Sequence, residues 1–163
     1  WQQKDSCHNW LETGSSGMPF ETTGLVMNKF SEGDPGKHAL EVKNNTDAAT
    51  IQVYNSEPTE SRLYLTHMVA GPAPQHKYPE SIVNISSSPG EGIKMTGTAE
   101  SRFEYSVHVL TTDFVGLLPG NQTTEVSIRA IPDPDKSDPV RVVGVIITPQ
   151  TDVMLQSVSN IED

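Results

Sequence analysis

The chain has 163 residues, of which 34% are apolar, and its 21 acidic and 11 basic residues give a net charge of −10. This charge disfavours nucleic acid and anionic membrane surfaces as partners, because phosphate contacts need clustered Lys and Arg. No apolar run reaches the roughly 18–20 residues of a membrane-spanning helix, so we expect no membrane insertion. Cys7 is the single cysteine, which excludes an intrachain disulfide.

The length fits a single β-domain spanning residues 1–163, with residues 1–17 as a possible N-terminal arm. The arm carries both tryptophans and ends in a flexible Gly-Ser link. The last segment, 151–163, also carries apolar side chains with little around them. Exposed apolar surface usually marks a contact site, so we expect self-association or docking on a larger assembly through these ends. The alternative is that both ends fold back as edge strands of their own domain.

Apolar and polar residues alternate along most of the remaining chain, and Pro, Gly, Asn and Asp separate the alternating runs. Period-2 alternation places successive side chains on opposite faces of a sheet, so each run predicts a strand with one buried face. The segments 38–43 and 48–55 are predicted to form a hairpin around Asn44–Asp47. The predicted strands are 20–30, 38–43, 48–55, 61–68, 81–86, 93–96, 101–112, 123–131 and 140–148, with 152–158 as one more.

These patterns predict an all-β fold, an antiparallel β-sandwich or jelly roll of about 8–10 strands, because each apolar sheet face must meet another. The run Val140–Thr148 is almost continuously apolar. It is therefore predicted to be a central strand that is buried on both faces, or one whose outer face meets another subunit.

The stretch Leu117–Ala130 resembles the Leu-x-Pro-Gly turn and following strand of fibronectin type III domains. The family's aromatic residue near position 123 is missing here, and the chain is much longer than that domain. The resemblance covers about fourteen residues and implies sandwich topology, with no function attached.

The acidic loop between the last two predicted strands is the best candidate metal site. Asp133, Asp135 and Asp138 stand at spacings that could converge on calcium, which prefers hard oxygen ligands. Pro139 follows at once, and Gly144 stands where an EF-hand would need its bidentate Glu, so an EF-hand is excluded. A different calcium geometry and a solvated, Pro-stiffened turn both remain open. No other cofactor is expected.

Exposed aromatic side chains are the candidate binding residues, because rings of this kind serve as stacking platforms for sugars. Tyr54 and Tyr64 are predicted on neighbouring strands, on the faces opposite the Leu and Ile set. Ordinary cross-strand packing of outward tyrosines is the alternative. The full set of candidates is Trp1, Trp10, Tyr54, Tyr64 and Tyr78.

Three Asn-x-Ser/Thr triplets begin at Asn44, Asn84 and Asn121. They are candidate N-glycosylation sites if the protein is secreted by a eukaryote. Two of them fall at predicted turns or strand ends, where a glycan could project.

No catalytic motif is present: the chain lacks a nucleophile-elbow Gly-x-Ser-x-Gly and a phosphate-binding Gly loop with Lys. The sequence therefore favours a non-catalytic interaction module for adhesion or assembly that works through protein partners or self-association. One alternative is a viral or phage structural protein, such as a capsid-decorating or tail subunit, and another is a carbohydrate-binding domain. The expected location is extracellular, at the cell surface or in a virion.

Overall fold

A computed structural model describes residues 6–9, 22–23, 26–29, 38–43, 48–70, 78–98 and 108–150. Within these residues the chain forms eleven strands and no helix, so the predicted all-β fold is confirmed. The strands are β1 (Ser6–Asn9), β2 (Thr22–Thr23), β3 (Val26–Lys29), β4 (His38–Val42), β5 (Ala49–Asn55), β6 (Ser61–Ala70), β7 (Ser81–Ile85), β8 (Ser88–Met95), β9 (His108–Leu118), β10 (Gln122–Ala130) and β11 (Val140–Pro149).

The strands form two antiparallel sheets packed face to face. The six-stranded sheet has the order β3-β4-β11-β6-β9, with β1 also paired to β11. The five-stranded sheet has the order β2-β5-β10-β7-β8. Alternate residues of β5, β6 and β10, such as Ile51, Leu65 and Val126, are buried in the layer between the sheets. The alternation in the sequence therefore dictates which side chains form the core.

Strands 4 and 5 do not form the predicted hairpin. β4 pairs with β3 and β11, whereas β5 pairs with β2 and β10 in the other sheet. The buried residues Leu40, Val42, Ile51 and Val53 nevertheless share one core, because they face one another across the two sheets. A hairpin and a connection between the two sheets bury the same alternate residues. The local sequence pattern therefore could not distinguish these two arrangements.

The most apolar segment becomes β11, which lies inside the six-stranded sheet between β6 on one side and β4 and β1 on the other. Its central position was predicted, and the structure adds a reason for the continuous apolar run. The register against β6 shifts between Val142 and Gly144. Val142 belongs to the core between the sheets, and Val143 belongs to a second apolar cluster.

The second apolar cluster contains Tyr78, Met68 and Val143, together with Ala39 and Ala70. Tyr78 is 1% exposed, and its hydroxyl accepts a hydrogen bond of 2.8 Å from Nη1 of Arg141. Nε of Arg141 in turn lies 2.8 Å from Oε1 of Glu41. Burial alone would lower the pKa of Arg141, but the bond to Glu41 and the contact with Tyr78 outweigh it and raise that pKa. The hydrogen-bonded side chains of Arg141 and Glu41 thus cover the polar end of Tyr78 at this cluster.

Two places where the chain crosses between the sheets are joined at one corner. The buried side chain of Asn55, at the end of β5, donates from Nδ2 to the carbonyl oxygens of Leu118 and Pro119, each at 3.1 Å. Its Oδ1 accepts from Oγ of Ser61, at the start of β6, at 3.1 Å. The N–H of Asn121, at a φ of 54°, donates to the Glu57 carbonyl at 2.8 Å. We call this the Asn55 corner.

The ends of the chain are described only in part. Ser6–Asn9, within the expected arm, forms β1 on the chain's own β11. Trp1, Trp10, Asn44 and the segment 152–158 lie outside the described residues. The single-domain organisation and the role of the ends in assembly stay predictions.

Candidate functional site

The outer surface of the five-stranded sheet is lined by polar side chains from three adjacent strands, and we call it the polar face. On each strand the buried residues alternate with these outward residues, as the burial pattern requires. The strand register places Gln52 opposite Glu125 and Ser127 opposite Asn84. The polar face consists of Thr50, Gln52 and Tyr54 of β5, Thr123, Glu125, Ser127 and Arg129 of β10, and Asn84 of β7, with Ser86 after it.

Tyr54 is the aromatic platform of the polar face. Its side chain is 54% exposed, and it lies opposite Thr123 of β10. Glu125 follows Thr123 by two residues, which is about 7 Å along a strand, and adjacent strands are about 4.8 Å apart. Tyr54 and Glu125 are therefore diagonal neighbours on this face, at positions roughly 7–8 Å apart.

Glu125 is held in place from both neighbouring strands. Its Oε2 accepts a hydrogen bond of 3.1 Å from Nε2 of Gln52. On the other side, its N–H donates to Oγ of Ser86 at 3.2 Å, and the Ser86 N–H donates to its carbonyl at 2.9 Å. A carboxylate has about four acceptor positions, and one bond from Gln52 leaves it capacity to accept from a ligand hydroxyl.

A pocket of about 250 Å³ opens on the polar face beside Glu125. A wide bulge in β8 forms one wall: β7 and β8 pair at Ile85 and Ser88, and the register then shifts before Val83 pairs with Ile93. Gly92 sits in this bulge at a φ of +79°. The lining residues are Asn84, Ile85, Ser86, Ser88, Pro89, Gly90, Glu125 and Ser127.

A second cleft of about 270 Å³ lies on the other side of the same bulge. It shares Ile85, Ser88, Pro89 and Gly90 with the pocket and also includes Glu91, but aliphatic side chains, among them Val83, Ile93 and Val115, dominate its wall. Unlike the pocket, it has no amide side chain among its described lining residues.

The outer surface of the six-stranded sheet differs in character. Tyr64 and Phe114 pack edge to face there, with ring centroids 5.6 Å apart and an angle of 62° between the rings. The Thr66 and Thr112 hydroxyls form a hydrogen bond of 2.9 Å beside them. Phe114 is 45% exposed and Leu110 is 43% exposed. This surface, the aromatic patch, is more apolar than the polar face.

Two expectations about the tyrosines are wrong. Tyr54 and Tyr64 do not lie on neighbouring strands, because β5 and β6 belong to different sheets, and so the two rings face opposite sides of the sandwich. Tyr78 is not an exposed platform, since it is buried in the second apolar cluster. The segment before β7 carries Tyr78 onto the six-stranded sheet, where Arg141 binds its hydroxyl.

The acidic loop makes local bonds. Oδ1 of Asp133 accepts from the N–H of Asp135 at 2.9 Å, and the Asp133 carbonyl accepts from the N–H of Lys136 at 3.1 Å. Across the described residues, no group of three or more His, Cys, Asp or Glu side chains is placed to hold a metal ion. Calcium binding by Asp133, Asp135 and Asp138 stays a prediction, and an Asp135→Ala variant compared by calcium-dependent melting would test it.

Two of the glycosylation candidates can be located. Asn121 is exposed at the turn between β9 and β10. Asn84 is half-buried within β7, and the backbone on either side of it is paired with β10 and β8. A glycan on Asn84 would cover the pocket, so modification at that position and an open polar face exclude each other.

Sequence reasoning missed Gln52, Glu125, Ser127 and the β8 bulge. Each of these polar residues points outward in an alternating run. Such a run by itself indicates only a solvent-exposed sheet face. The available signal was that outward amide, carboxylate and hydroxyl groups recur on β10 as well as on the strands that carry Tyr54 and Asn84. Their convergence depends on pairing between β5 and β10, whose hydrogen-bonded residues Gln52 and Glu125 are 73 positions apart.

The sequence matches no protein-family model, and it matches no curated protein. Among solved structures, the fold is similar to a two-domain esterase (CEX) active on acetylated mannans, with a TM-score of 0.60 and 15% identity over 91% of this chain and 37% of that chain. It is similar to CBM35 from Cellvibrio japonicus Abf62, with a TM-score of 0.51 and 14% identity over 91% of this chain and 95% of that chain.

The K1 cleaved adhesin domain of Lys-gingipain (Kgp) from Porphyromonas gingivalis W83 is also similar, with a TM-score of 0.52 and 12% identity over 91% of this chain and 99% of that chain. The chain thus spans 37% of the esterase's length and nearly all of the other two. At such identities these likenesses establish the fold, an antiparallel β-sandwich. A search of the described residues finds no helix that is long and apolar enough to cross a membrane.

Proposed function

We propose that the protein is a non-catalytic carbohydrate-binding β-sandwich that binds a glycan on its polar face. One observation carries the proposal: the strongly exposed ring of Tyr54 lies on the same sheet face as the hydrogen-bonded Gln52 and Glu125 side chains, and Glu125 also lines a pocket of about 250 Å³. A sugar ring has a face of C–H groups and a rim of hydroxyls. The polar face offers an aromatic surface for the first and fixed polar groups for the second.

Preorganisation supports this assignment over an ordinary solvated sheet. The backbone of Glu125 is fixed by its bonds to Ser86, and its carboxylate is held by the hydrogen bond from Gln52, so the side chain is already partly ordered before a hydroxyl binds. Groups that are already held in place bind with a smaller entropic penalty. Sheet positions are also more rigid than loop positions, which suits recognition of the repeated geometry of a polysaccharide.

The pocket itself favours binding over hydrolysis. Glycoside hydrolysis generally uses two carboxyl groups that flank the scissile bond, separated by about 5 Å or by about 6.5–9.5 Å. Of the described residues that line the pocket, Glu125 carries the one carboxylate. We therefore assign the chain no reaction. The likeness of its fold to CBM35 supports the same assignment. An extracytoplasmic location is part of the proposal, because polysaccharides lie outside the cell.

The decisive experiment compares two tyrosines on opposite faces. Tyr54→Ala and Tyr64→Ala would be tested against the wild type on a glycan microarray, and then by affinity electrophoresis in the polysaccharide that binds best. We expect Tyr54→Ala to weaken binding at least about fivefold, since a stacked ring contributes about 1 kcal/mol or more. Tyr64→Ala should bind like the wild type. Equal loss in both variants, or a wild type that binds no glycan, contradicts the proposal.

A second candidate function is a protein contact through the aromatic patch, for adhesion or assembly. It is favoured by the exposure of Phe114 and Leu110, which lie on the same outward side of β9. Sedimentation velocity of the wild type and of Phe114→Ser would test self-association at this surface. Deleting residues 1–14 tests the separate prediction that the N-terminal arm mediates assembly. A wild type that stays monomeric at high concentration contradicts self-association.

A further inference from the structure

We propose that the polar face selects uncharged glycans and rejects those that carry uronate, sulfate or sialic acid groups, with Glu125 as the discriminating residue. This inference rests on the proposed function and names the ligand class of the same site. It starts from two observations: Glu125 is one of the residues that line the pocket, and its carboxylate is hydrogen-bonded to Gln52 on the neighbouring strand.

The charges around the pocket set this preference. Among the described lining residues, Glu125 is the charged one, and the remaining polar groups are an amide and hydroxyls. A carboxylate is an acceptor only, so it binds sugar hydroxyls and opposes a second anion. A full negative charge brought to within about 4 Å of it weakens binding by about tenfold or more in a partly desolvated site. The net charge of −10 acts in the same direction over a longer range.

The cationic side chains nearest along the sheet lie beyond the pocket. Arg129 and Lys94 pair with Ile82 from the two neighbouring strands. This position is two residues along the strands from the pair Ser127 and Asn84. Nζ of Lys94 already lies 2.7 Å from Oε2 of Glu80. If the inference is wrong, an acidic sugar would have to bind through Arg129. A variant of Arg129 is therefore the comparison for a variant of Glu125.

The test is a microarray that carries neutral glycans together with uronate-containing, sulfated and sialylated glycans, probed with the wild-type protein. We expect binding to neutral glycans and none to their charged counterparts. Binding to acidic glycans alone overturns the inference and leaves the proposed function standing. Binding to no glycan overturns both. The wild-type result decides between these outcomes without any variant.

Two variants then locate the discrimination. Glu125→Gln removes the charge and keeps the shape, so its affinity for a charged counterpart of the best neutral glycan should rise about tenfold. As a control outside the polar face, Lys136→Gln, in the loop after β10, should change neither affinity. Binding of the neutral glycan by the wild type should also stay constant between low and high sodium chloride, because no ion pair forms. Acidic binding that Arg129→Gln abolishes, or an unchanged selectivity in Glu125→Gln, contradicts the role of Glu125.

Discussion

The two outer surfaces of this sandwich present aromatic rings in opposite ways. On the six-stranded sheet, Tyr64 leans edge to face on Phe114, and Tyr78 is buried under Arg141. On the five-stranded sheet, Tyr54 is exposed among amide, carboxylate and hydroxyl groups. A ring that is packed against its neighbours contributes to stability, whereas an exposed ring beside ordered polar groups is available to a ligand. The same residue type therefore occupies three different environments among the described residues.

The largest expected effect is at Tyr78. Tyr78→Ala should lower the free energy of unfolding by about 3–5 kcal/mol, because it leaves a cavity over the second apolar cluster and removes an acceptor from Arg141. Urea denaturation would measure this, with Tyr78→Phe as the control that keeps the ring and loses only the hydroxyl. A loss below about 1 kcal/mol would mean that the Tyr78 ring contributes little to the packing of the second apolar cluster.

The next effect concerns the β8 bulge. Gly92→Ala should cost about 1–3 kcal/mol, because alanine is strained at a φ of +79° and its Cβ would come within 2.8 Å of the Val83 carbonyl oxygen. The added Cβ would also meet the Asn84 side chain, so glycan binding should fall with stability. Gly90→Ala is the matched control for stability, since a Cβ there meets nothing within 4 Å. Thermal unfolding and affinity electrophoresis of the two variants would make the comparison.

A smaller effect separates the two remaining tyrosines by stability rather than by binding. Tyr64→Ala should lower the free energy of unfolding by about 1 kcal/mol, which is typical of an edge-to-face pair. Tyr54→Ala should stay within about 0.5 kcal/mol of the wild type, as exposed substitutions usually do. If Tyr54→Ala proves the more destabilising variant, the contrast between the two surfaces fails.

The smallest effect appears at alkaline pH. Burial raises the pKa of Tyr78 above its ordinary value of 10.0, and Arg141 only partly offsets this. Above pH 10 the unfolded chain therefore releases a proton that the folded chain keeps, so stability that is present below pH 10 declines as the pH rises toward the folded pKa. The decline is at most about 1.4 kcal/mol per pH unit for one proton. It should be steeper in the wild type than in Tyr78→Phe, as measured by urea unfolding at pH 9 and pH 11.

The strands could be predicted from the sequence because period-2 alternation is a local property. Val126 and Ile128 predict β10, and the turn at Leu118–Asn121 predicts the end of β9. Neither prediction requires knowing which strands pair with them. The sheet to which a strand belongs is not local. Strands 4 and 5 look like a hairpin because burial of Leu40 and Ile51 fits either arrangement.

The candidate site was harder to predict than the fold. Tyr54 was recognised as an outward ring, but Tyr78 was not recognised as a buried one. It precedes Pro79 outside any alternating run, and its burial depends on Arg141, which lies 63 positions away. Glu125 could not be singled out because an outward carboxylate on a strand is ordinary until its partner Gln52 is known.

The Asn55 corner has a mechanical consequence. Under the proposed function, pulling on a bound glycan would place tension on β5 and β10, and β5 ends at this corner while β10 begins beside it. The hydrogen bonds from Asn55 to Leu118 and Pro119, and from Asn121 to Glu57, would carry that load to the other sheet. Such bonds are directional, unlike the core contacts between the sheets. A module anchored in flowing medium would therefore resist shear between its layers at this end.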